Sequence, residues 1–407
     1  MIRTHPESGW QGRRRGAEGL ALPRGFQAAG VAAGIKPSGA RDMMLLAMDA
    51  AAPAAGVFTT NRIQAAPVRL DREHLRGGLA RAVVVNSGNA NACNGRQGMR
   101  DARRMAALTA EGLGVPPAHV LVCSTGTIGL PLPMDTIERG IRALPPALSP
   151  DGGDAAVEAI LTTDTRPKRW TVEVPVGRSR VRVAGFCKGA GMIEPNMATM
   201  LAFLMTDAEV PQAALQRLLK AAVDRTFNRV TVDGDRSTND SAFLFASGAS
   251  GIRLSPGRPG WSAFEQAVHE VAHELAVMIA RDGEGATRYV TIRVEGARTH
   301  ADADRAARAV ANSFLVKTAW AGAGANWGRV MDAVGYSGAH VVEERVDMWF
   351  DEMHCVRRGA GTKITREDLK AVIARPEFTV RVRLGLGRGS AVIYTCNCTE
   401  AYVRINM

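Results

Sequence analysis

Val181-Arg-Val-Ala-Gly-Phe-Cys-Lys188-Gly-Ala-Gly-Met-Ile-Glu-Pro-Asn-Met-Ala-Thr199-Met-Leu-Ala-Phe-Leu-Met-Thr206 is the stretch on which the fold turns. Its two ends are short apolar runs of the kind that suits strands inside a sheet, and its middle is a glycine-rich loop. The segment therefore predicts strand, loop, strand, with Lys188 closing the first strand and Thr199, behind the small Ala198, at the entry to the second. On either side the same alternation continues. Strand-like runs lie at 82–85, 119–123, 181–186, 200–204, 229–232, 289–294, 378–384 and 391–396. Helical periodicity appears near 100–113, 134–143, 211–226, 262–281, 303–311 and 366–374. No internal repeat is evident. β-rich stretches separated by helices predict an α+β fold of layered sheets with outer helices rather than a doubly wound parallel sheet.

The composition narrows the function classes. The 407 residues are 46% hydrophobic, enough for a large core, which excludes a disordered chain. Six cysteines without Cys-x-x-Cys spacing exclude a disulfide-stapled scaffold and point to reduced thiols in a cytoplasm. Lys and Arg number 51 against 40 Asp and Glu, a net +11, but the cations are dispersed and aromatics make up only 5%, so nucleic acid is not the expected partner. Anionic small molecules fit the charge better. No run approaches the roughly 18–20 apolar residues of a membrane helix. Residues 1–24 carry Arg3, Arg13, Arg14 and Arg15 but are broken by Pro6, Glu7 and several glycines, and read as a disordered tail rather than a transit peptide.

Some motifs are decoys. His269-Glu-Val-Ala-His273 matches the H-E-x-x-H zinc pattern. Phe264, Val268, Val271, Leu275 and Met278 form the apolar stripe of that helix, and at about 100° per residue the two histidines fall opposite it, so they are expected to face solvent. The third histidine of a metzincin is missing downstream. Cys396-Asn-Cys398 reads as a strand with both thiols on one face, and Gly385-Leu-Gly-Arg-Gly389 sits between strands, not between a strand and a helix as dinucleotide binding requires. There is no G-x-S-x-G elbow and no phosphate loop.

Thr199 has a special use open to it. Attack of its hydroxyl on the Ala198 carbonyl, an N-to-O acyl shift and hydrolysis would split the chain and free the Thr199 α-amine. With a pKa of about 7.7–8.0, that amine can act as base for its own hydroxyl. Read alone, the position is equally an ordinary β-branched strand residue.

The surrounding blocks add to this. Lys188-Gly-Ala-Gly-Met-Ile-Glu-Pro-Asn-Met-Ala-Thr199-Met-Leu resembles the self-cleavage segment of the ornithine acetyltransferase (glutamate N-acetyltransferase) family. Gly25-Phe-Gln-Ala-Ala-Gly-Val-Ala-Ala-Gly-Ile-Lys36, Ala55-Gly-Val-Phe-Thr-Thr-Asn61, Val85-Asn-Ser-Gly-Asn-Ala-Asn-Ala-Cys93, Cys123-Ser-Thr-Gly-Thr-Ile-Gly129, Thr162-Thr-Asp-Thr165, Asp282-Gly-Glu-Gly-Ala-Thr287 and Asn326-Trp-Gly-Arg329 are similar to family blocks, in family order. The resemblance implies the αββα-type fold of the ornithine acetyltransferase and DmpA aminopeptidase group. It implies self-cleavage between Ala198 and Thr199 into an alpha chain, residues 25–198 after the tail, and a beta chain, residues 199–407. It further implies an acyltransferase of arginine biosynthesis. Acetyl passes from N-acetylornithine to glutamate through acetyl-Thr199, and the bifunctional members also take acetyl-CoA as donor.

By the same resemblance Thr125 and Gly126 form the oxyanion hole, and Thr162, Lys188, Thr199, Glu284 and Asn406 contact substrate. No metal or cofactor is implied. The expected partners are the small substrates and further copies of the two chains, in a heterotetramer or larger assembly, with no nucleic acid and no membrane, in the cytoplasm. Three features depart from the family pattern. A terminal threonine that joins the substrate site has no counterpart after Asn406, Arg236 stands where an uncharged residue is usual, and Gly322-Ala-Gly-Ala precedes Asn326 in place of Asp-Pro. A self-processing amidase or hydrolase, and an inactive or secondary-metabolism paralogue, remain as alternative readings.

Overall fold

The computed structural model describes residues 13–15, 19–194 and 200–407. The first half runs β1 (Arg13–Arg15), β2 (Phe26–Val31), β3 (Met43–Phe58), α1 (Ala66–His74), β4 (Leu79–Asn89), α2 (Gly95–Leu113), β5 (Val120–Thr127), α3 (Met134–Ala143), α4 (Gly153–Ile160), β6 (Lys168–Val176) and β7 (Ser179–Lys188). Then come β8 (Leu201–Thr206), α5 (Gln212–Arg225), β9 (Ser241–Ala246), α6 (Trp261–Arg281), β10 (Tyr289–Ala297), α7 (His300–Asn312), α8 (Phe314–Ala321) and α9 (Trp327–Gly335). The chain closes with β11 (Asp347–Phe350), β12 (Met353–Arg357), β13 (Ala360–Gly361), α10 (Arg366–Ile373), β14 (Glu377–Arg383), β15 (Gly389–Cys396) and α11 (Glu400–Ile405).

The larger sheet has the order β1-β6-β7-β8-β9-β3-β4-β5, with β2 added to β3. β3 is long enough to serve two layers. Its first part pairs with β4, its register shifts between Ala47 and Ala52, and Ala54–Phe58 then pair with β9. The sheet thereby folds over on itself. Leu201, Phe203 and Met205 of β8 join Phe186, Phe243, Met44, Leu46, Val83 and Leu121 in a core between the two β layers. Ala202 and Leu204, pointing the opposite way as the two-residue strand period requires, pack with α5 and α6. The outer face of β2–β5 carries α2 and α3. The result is the expected layering: helix, sheet, sheet, helix. Phenylalanines fill the inter-sheet space, with Phe186 and Phe203 stacked at 5.0 Å and Phe203 and Phe243 at 5.8 Å between centroids.

A six-stranded sheet, β13-β12-β11-β14-β10-β15, completes the chain, with α7 to α10 covering one face. Val290, Ile292 and Val294 of β10 face those helices.

Several expectations need correction. Residues 229–232 form no strand: Val230 makes only an isolated bridge to Tyr394, and the next two residues are held by single backbone bonds, from Thr231 N–H to the Tyr394 carbonyl at 2.9 Å and from Val232 N–H to the Ile193 carbonyl at 2.7 Å. Thr125 and Gly126 lie within β5 rather than in a loop after it. The last strand ends at Cys396, so Cys398 does not share its face. His269 and His273 are half-buried, not solvent-facing, and line a groove of about 1140 Å³ between α5, α6 and the second sheet. The ring of His273 meets Tyr394 edge-on at 5.4 Å. Helical phase showed only which side of α6 faces its own core, and the second sheet stands beside the other. Among the described residues no cluster of three His, Cys, Asp or Glu is placed to hold a metal. Leu20 and Leu22 are buried, so the packed chain begins a few residues before 25.

Candidate active site

The site forms at one end of the β–β sandwich, where β7 ends, β8 begins and β5 emerges. Ala198 and Thr199, the expected cleavage pair, lie outside the described residues. The chain on both sides of them is held by carboxylates. Upstream, Asp164 accepts from the Gly189 N–H at 2.7 Å, and Asp233 accepts from the N–H groups of Met192 and Ile193 at 2.6 and 2.8 Å. Glu194 is buried against Arg308 and Asn312 at 3.0 Å each. Downstream, Asp240 Oδ1 accepts from the Met200 N–H at 2.7 Å. The described glycine-rich stretch up to Glu194, which alone would be conformationally free, is thus fastened at Gly189, Met192, Ile193 and Glu194.

Asp164 belongs to a buried ion cluster. Lys168, fully buried, donates to Asp164 Oδ1 at 2.6 Å and to Asp282 Oδ2 at 2.5 Å, and Thr165 also donates to Asp282 through its N–H and hydroxyl. Three distant sequence blocks, 162–165, 188–191 and 282–287, are tied at this point. Against the burial of its own carboxyl, Lys188, Lys168 and the Gly189 N–H hold Asp164 down at about 2.

Lys188 ends β7 and is buried, yet among the described residues its ammonium makes no hydrogen bond or ion pair. Burial lowers its proton affinity, and Lys168 adds to that, while Asp164, Glu284 and Asp240 pull the other way. A buried ammonium is costly unless compensated, and here nearby carboxylates offset part of that cost through charge alone. Glu284 lies across the loop from it. Its carboxylate rests so close to Gly191 that a Cβ there would come within 2.3 Å of it, so any larger residue would have to displace the carboxylate. The Asn406 amide donates to Glu284 Oε2 at 2.7 Å. Glu284 and Asn406, far apart in sequence, are therefore paired, and the Glu284 charge is felt by Lys188.

Thr125 and Gly126 sit at the end of β5, half-buried and exposed respectively. Gly126 has φ +132, and a Cβ on it would come within 2.3 Å of the Gly88 carbonyl carbon, so the glycine is required by the parallel pairing of β4 and β5. Asn239 connects this turn to the start of β8: its amide donates to the carbonyls of Ala90 and Ser124 at 2.6 and 2.8 Å, and the next residue is Asp240. The expected oxyanion turn is thus one short hydrogen-bonded bridge from the residue that follows Thr199. Thr162 is exposed after α4 and lines a cleft of about 770 Å³. Arg236 points its side chain to solvent, and its carbonyl accepts from Asn61 at 3.1 Å, so the loop keeps its shape through backbone contacts.

The sequence reading passed over Asp164, Lys168, Asp233, Asp240 and Asp282 as individual actors. The signal for the four aspartates was acids inside glycine- and threonine-rich loops, where such residues also make plain local turns, and for Lys168 a cation at the first residue of β6.

A four-layer αββα core that brings the end of β5, a buried cation and a buried anion together at one end is a framework suited to an enzyme acting on charged small substrates. The chain belongs to the ArgJ family, whose model matches residues 27–407. It is 49% identical over 393 residues to the arginine biosynthesis bifunctional protein ArgJ of Symbiobacterium thermophilum, covering 96% of this chain and 98% of that one. It is 50% identical over 388 residues to the protein of the same name from Geobacter sulfurreducens, with 94% and 98% covered. The crystal structure of an arginine biosynthesis bifunctional protein ArgJ from Bacillus halodurans matches at a TM-score of 0.50 and 40% identity, covering 51% of this chain and 99% of that one.

Proposed function

We propose that this chain cleaves itself between Ala198 and Thr199 and then transfers acetyl from N-acetylornithine to glutamate, with acetyl-CoA as a further donor. One observation carries the reading: Lys188, the Glu284–Asn406 pair and the Thr125–Gly126 end of β5 lie beside the described ends of the segment that contains Thr199.

In the first step the Thr199 hydroxyl attacks the Ala198 carbonyl, the amide becomes an ester, and water splits the ester to leave a carboxylate on Ala198 and a free amine on Thr199. The amine then takes the proton of its own hydroxyl, and the oxygen attacks the acetyl carbon of N-acetylornithine. Backbone donors of Thr125 and Gly126 face the tetrahedral oxyanion. Collapse breaks the acetyl–nitrogen bond, the proton goes to the leaving amine, and ornithine departs. The amine of glutamate attacks acetyl-Thr199 in the reverse sense, N-acetylglutamate leaves, and the hydroxyl regains its proton. Lys188 receives the α-carboxylate common to both amino acids. Glu284, oriented by Asn406, receives the ornithine ammonium, and Thr162 lines the approach. The alpha and beta chains stay together, associate into a heterotetramer or larger and work in the cytoplasm.

The test is release of ornithine from N-acetylornithine with and without glutamate. Dependence on glutamate supports transfer. Release without it would mean a hydrolase, and no release from cleaved protein a catalytically silent relative.

A further inference from the structure

Donor and acceptor in this reading differ in one respect that matters to a binding site: the ornithine side chain ends in a cation and that of glutamate in an anion. Glu284 answers the first. A second cation, Lys36, stands where it can answer the second. The backbone N–H groups of Ala33, Gly34, Ile35 and Lys36 all donate to the carboxylate of buried Asp42, at 2.7, 3.1, 2.6 and 3.1 Å, which fixes this turn rigidly. The stem of Lys36 crosses Gly88: a Cβ built on that glycine would lie 3.6 Å from Lys36 Cγ. Gly88 is the residue paired in register with Gly126 of the oxyanion turn. Lys36 also shares the cleft of about 770 Å³ with Thr162. Among the described residues its ammonium gives one hydrogen bond, to the Arg41 carbonyl at 2.7 Å, which leaves two N–H groups for a ligand. Arg41, the other cation lining the cleft, is paired with Glu158 at 2.5 Å.

We propose that Lys36 is a specificity-determining residue for the acceptor, binding the side-chain carboxylate of glutamate while Lys188 binds its α-carboxylate. The inference rests on the proposed function and extends it. Burial lowers the proton affinity of Lys36, and its neighbour Lys188 lowers it further against the pull of Asp42 and Asp164. Two ammonium groups that repel one another across a site are relieved by a ligand with two carboxylates. Glutamate has two where N-acetylornithine has one.

The experiment compares glutamate with glutamine, its neutral counterpart of the same shape, as acceptors for cleaved wild-type enzyme and for Lys36→Gln and Lys36→Arg. The wild type should prefer glutamate at least tenfold in kcat/KM. In Lys36→Gln the KM for glutamate should rise at least tenfold and the preference should collapse, while the KM for N-acetylornithine changes less than threefold. Lys36→Arg should keep most of the preference. An equal loss towards glutamate and glutamine would mean a purely structural lysine and would overturn the proposal. A rise confined to the KM for acetyl-CoA would assign the cation to a phosphate instead and would also overturn it. Should Lys36→Gln fail to mature, the wild-type ratio still decides, since acceptance of glutamine as readily as glutamate contradicts the proposal. Wild-type enzyme without any glutamate-dependent release removes the parent reading itself and is told apart by that control.

Discussion

Asp240, a fully buried carboxyl, accepts a hydrogen bond from the backbone N–H of Met200 at 2.7 Å, one residue beyond the expected cleavage point. Burial pushes its pKa well above the usual carboxylate range, and the Met200 N–H and Lys188 offset only part of that. Asp240 is therefore a positioning group that can hold the start of β8 in its neutral form.

Substitution should separate the hydrogen bond from the charge. Asp240→Asn keeps a carbonyl acceptor for Met200 and should mature at nearly the normal rate. Asp240→Ala strands a buried N–H, at a cost of about 1–3 kcal/mol, and should slow self-cleavage. Following the fraction of cleaved chain over time after refolding, together with thermal unfolding, checks both; equal maturation of the two variants would remove Asp240 from this role.

The Lys168 cluster should behave as a structural pin. Lys168→Met removes the buried cation shared by Asp164 and Asp282, leaving Asp282, among the described residues, only the exposed Arg166 at 3.5 Å as an ion-pair partner, and breaking a buried pair typically costs about 3–5 kcal/mol, read as a lower urea midpoint. The pH dependence has a definite sign. Asp164 is held at about 2 in the folded protein against a reference value of 3.8. Its contribution is complete above the unfolded value and disappears as pH falls towards 2. The stability gap between wild type and Lys168→Met should thus be wide at neutral pH and narrow on acidification below about 4.

Glu284 should matter for the donor more than for the acceptor. Glu284→Gln keeps the shape and can still pair with Asn406, but it removes the charge meant for the ornithine ammonium. Hydrogen bonds to charged groups contribute about 1.5–3 kcal/mol, so the KM for N-acetylornithine should rise by roughly tenfold or more. Steady-state kinetics with each substrate varied in turn would show it, and equal effects on the two KM values would contradict the assignment.

Parts of this molecule were legible from the residues and parts were not. β7, β8 and α6 announce themselves because their apolar periods are uninterrupted, and Lys188 at the end of β7 follows directly from that. β3 is hidden, because Asp49-Ala-Ala-Ala-Pro-Ala-Ala reads as a poor strand and only pairing with β4 and β9 makes it one. Asp164, Asp233 and Asp282 could be seen as acids in loops, but apart from local contacts such as the Asp164–Lys168 pair their partners lie 25 residues or more away, so their roles depend on the closed sandwich. His269 and His273 misled for the same reason: the second sheet that half-covers them leaves no trace in the period of α6.

The central claim, that Thr199 is both cleavage site and nucleophile, is tested most directly by intact-mass and N-terminal analysis of the purified protein, run beside Thr199→Ala. Two tightly associated chains of 198 and 209 residues are predicted, the second beginning at Thr199. Thr199→Ala should remain a single inactive chain. An uncut wild-type chain that transfers acetyl from N-acetylornithine to glutamate would contradict the account.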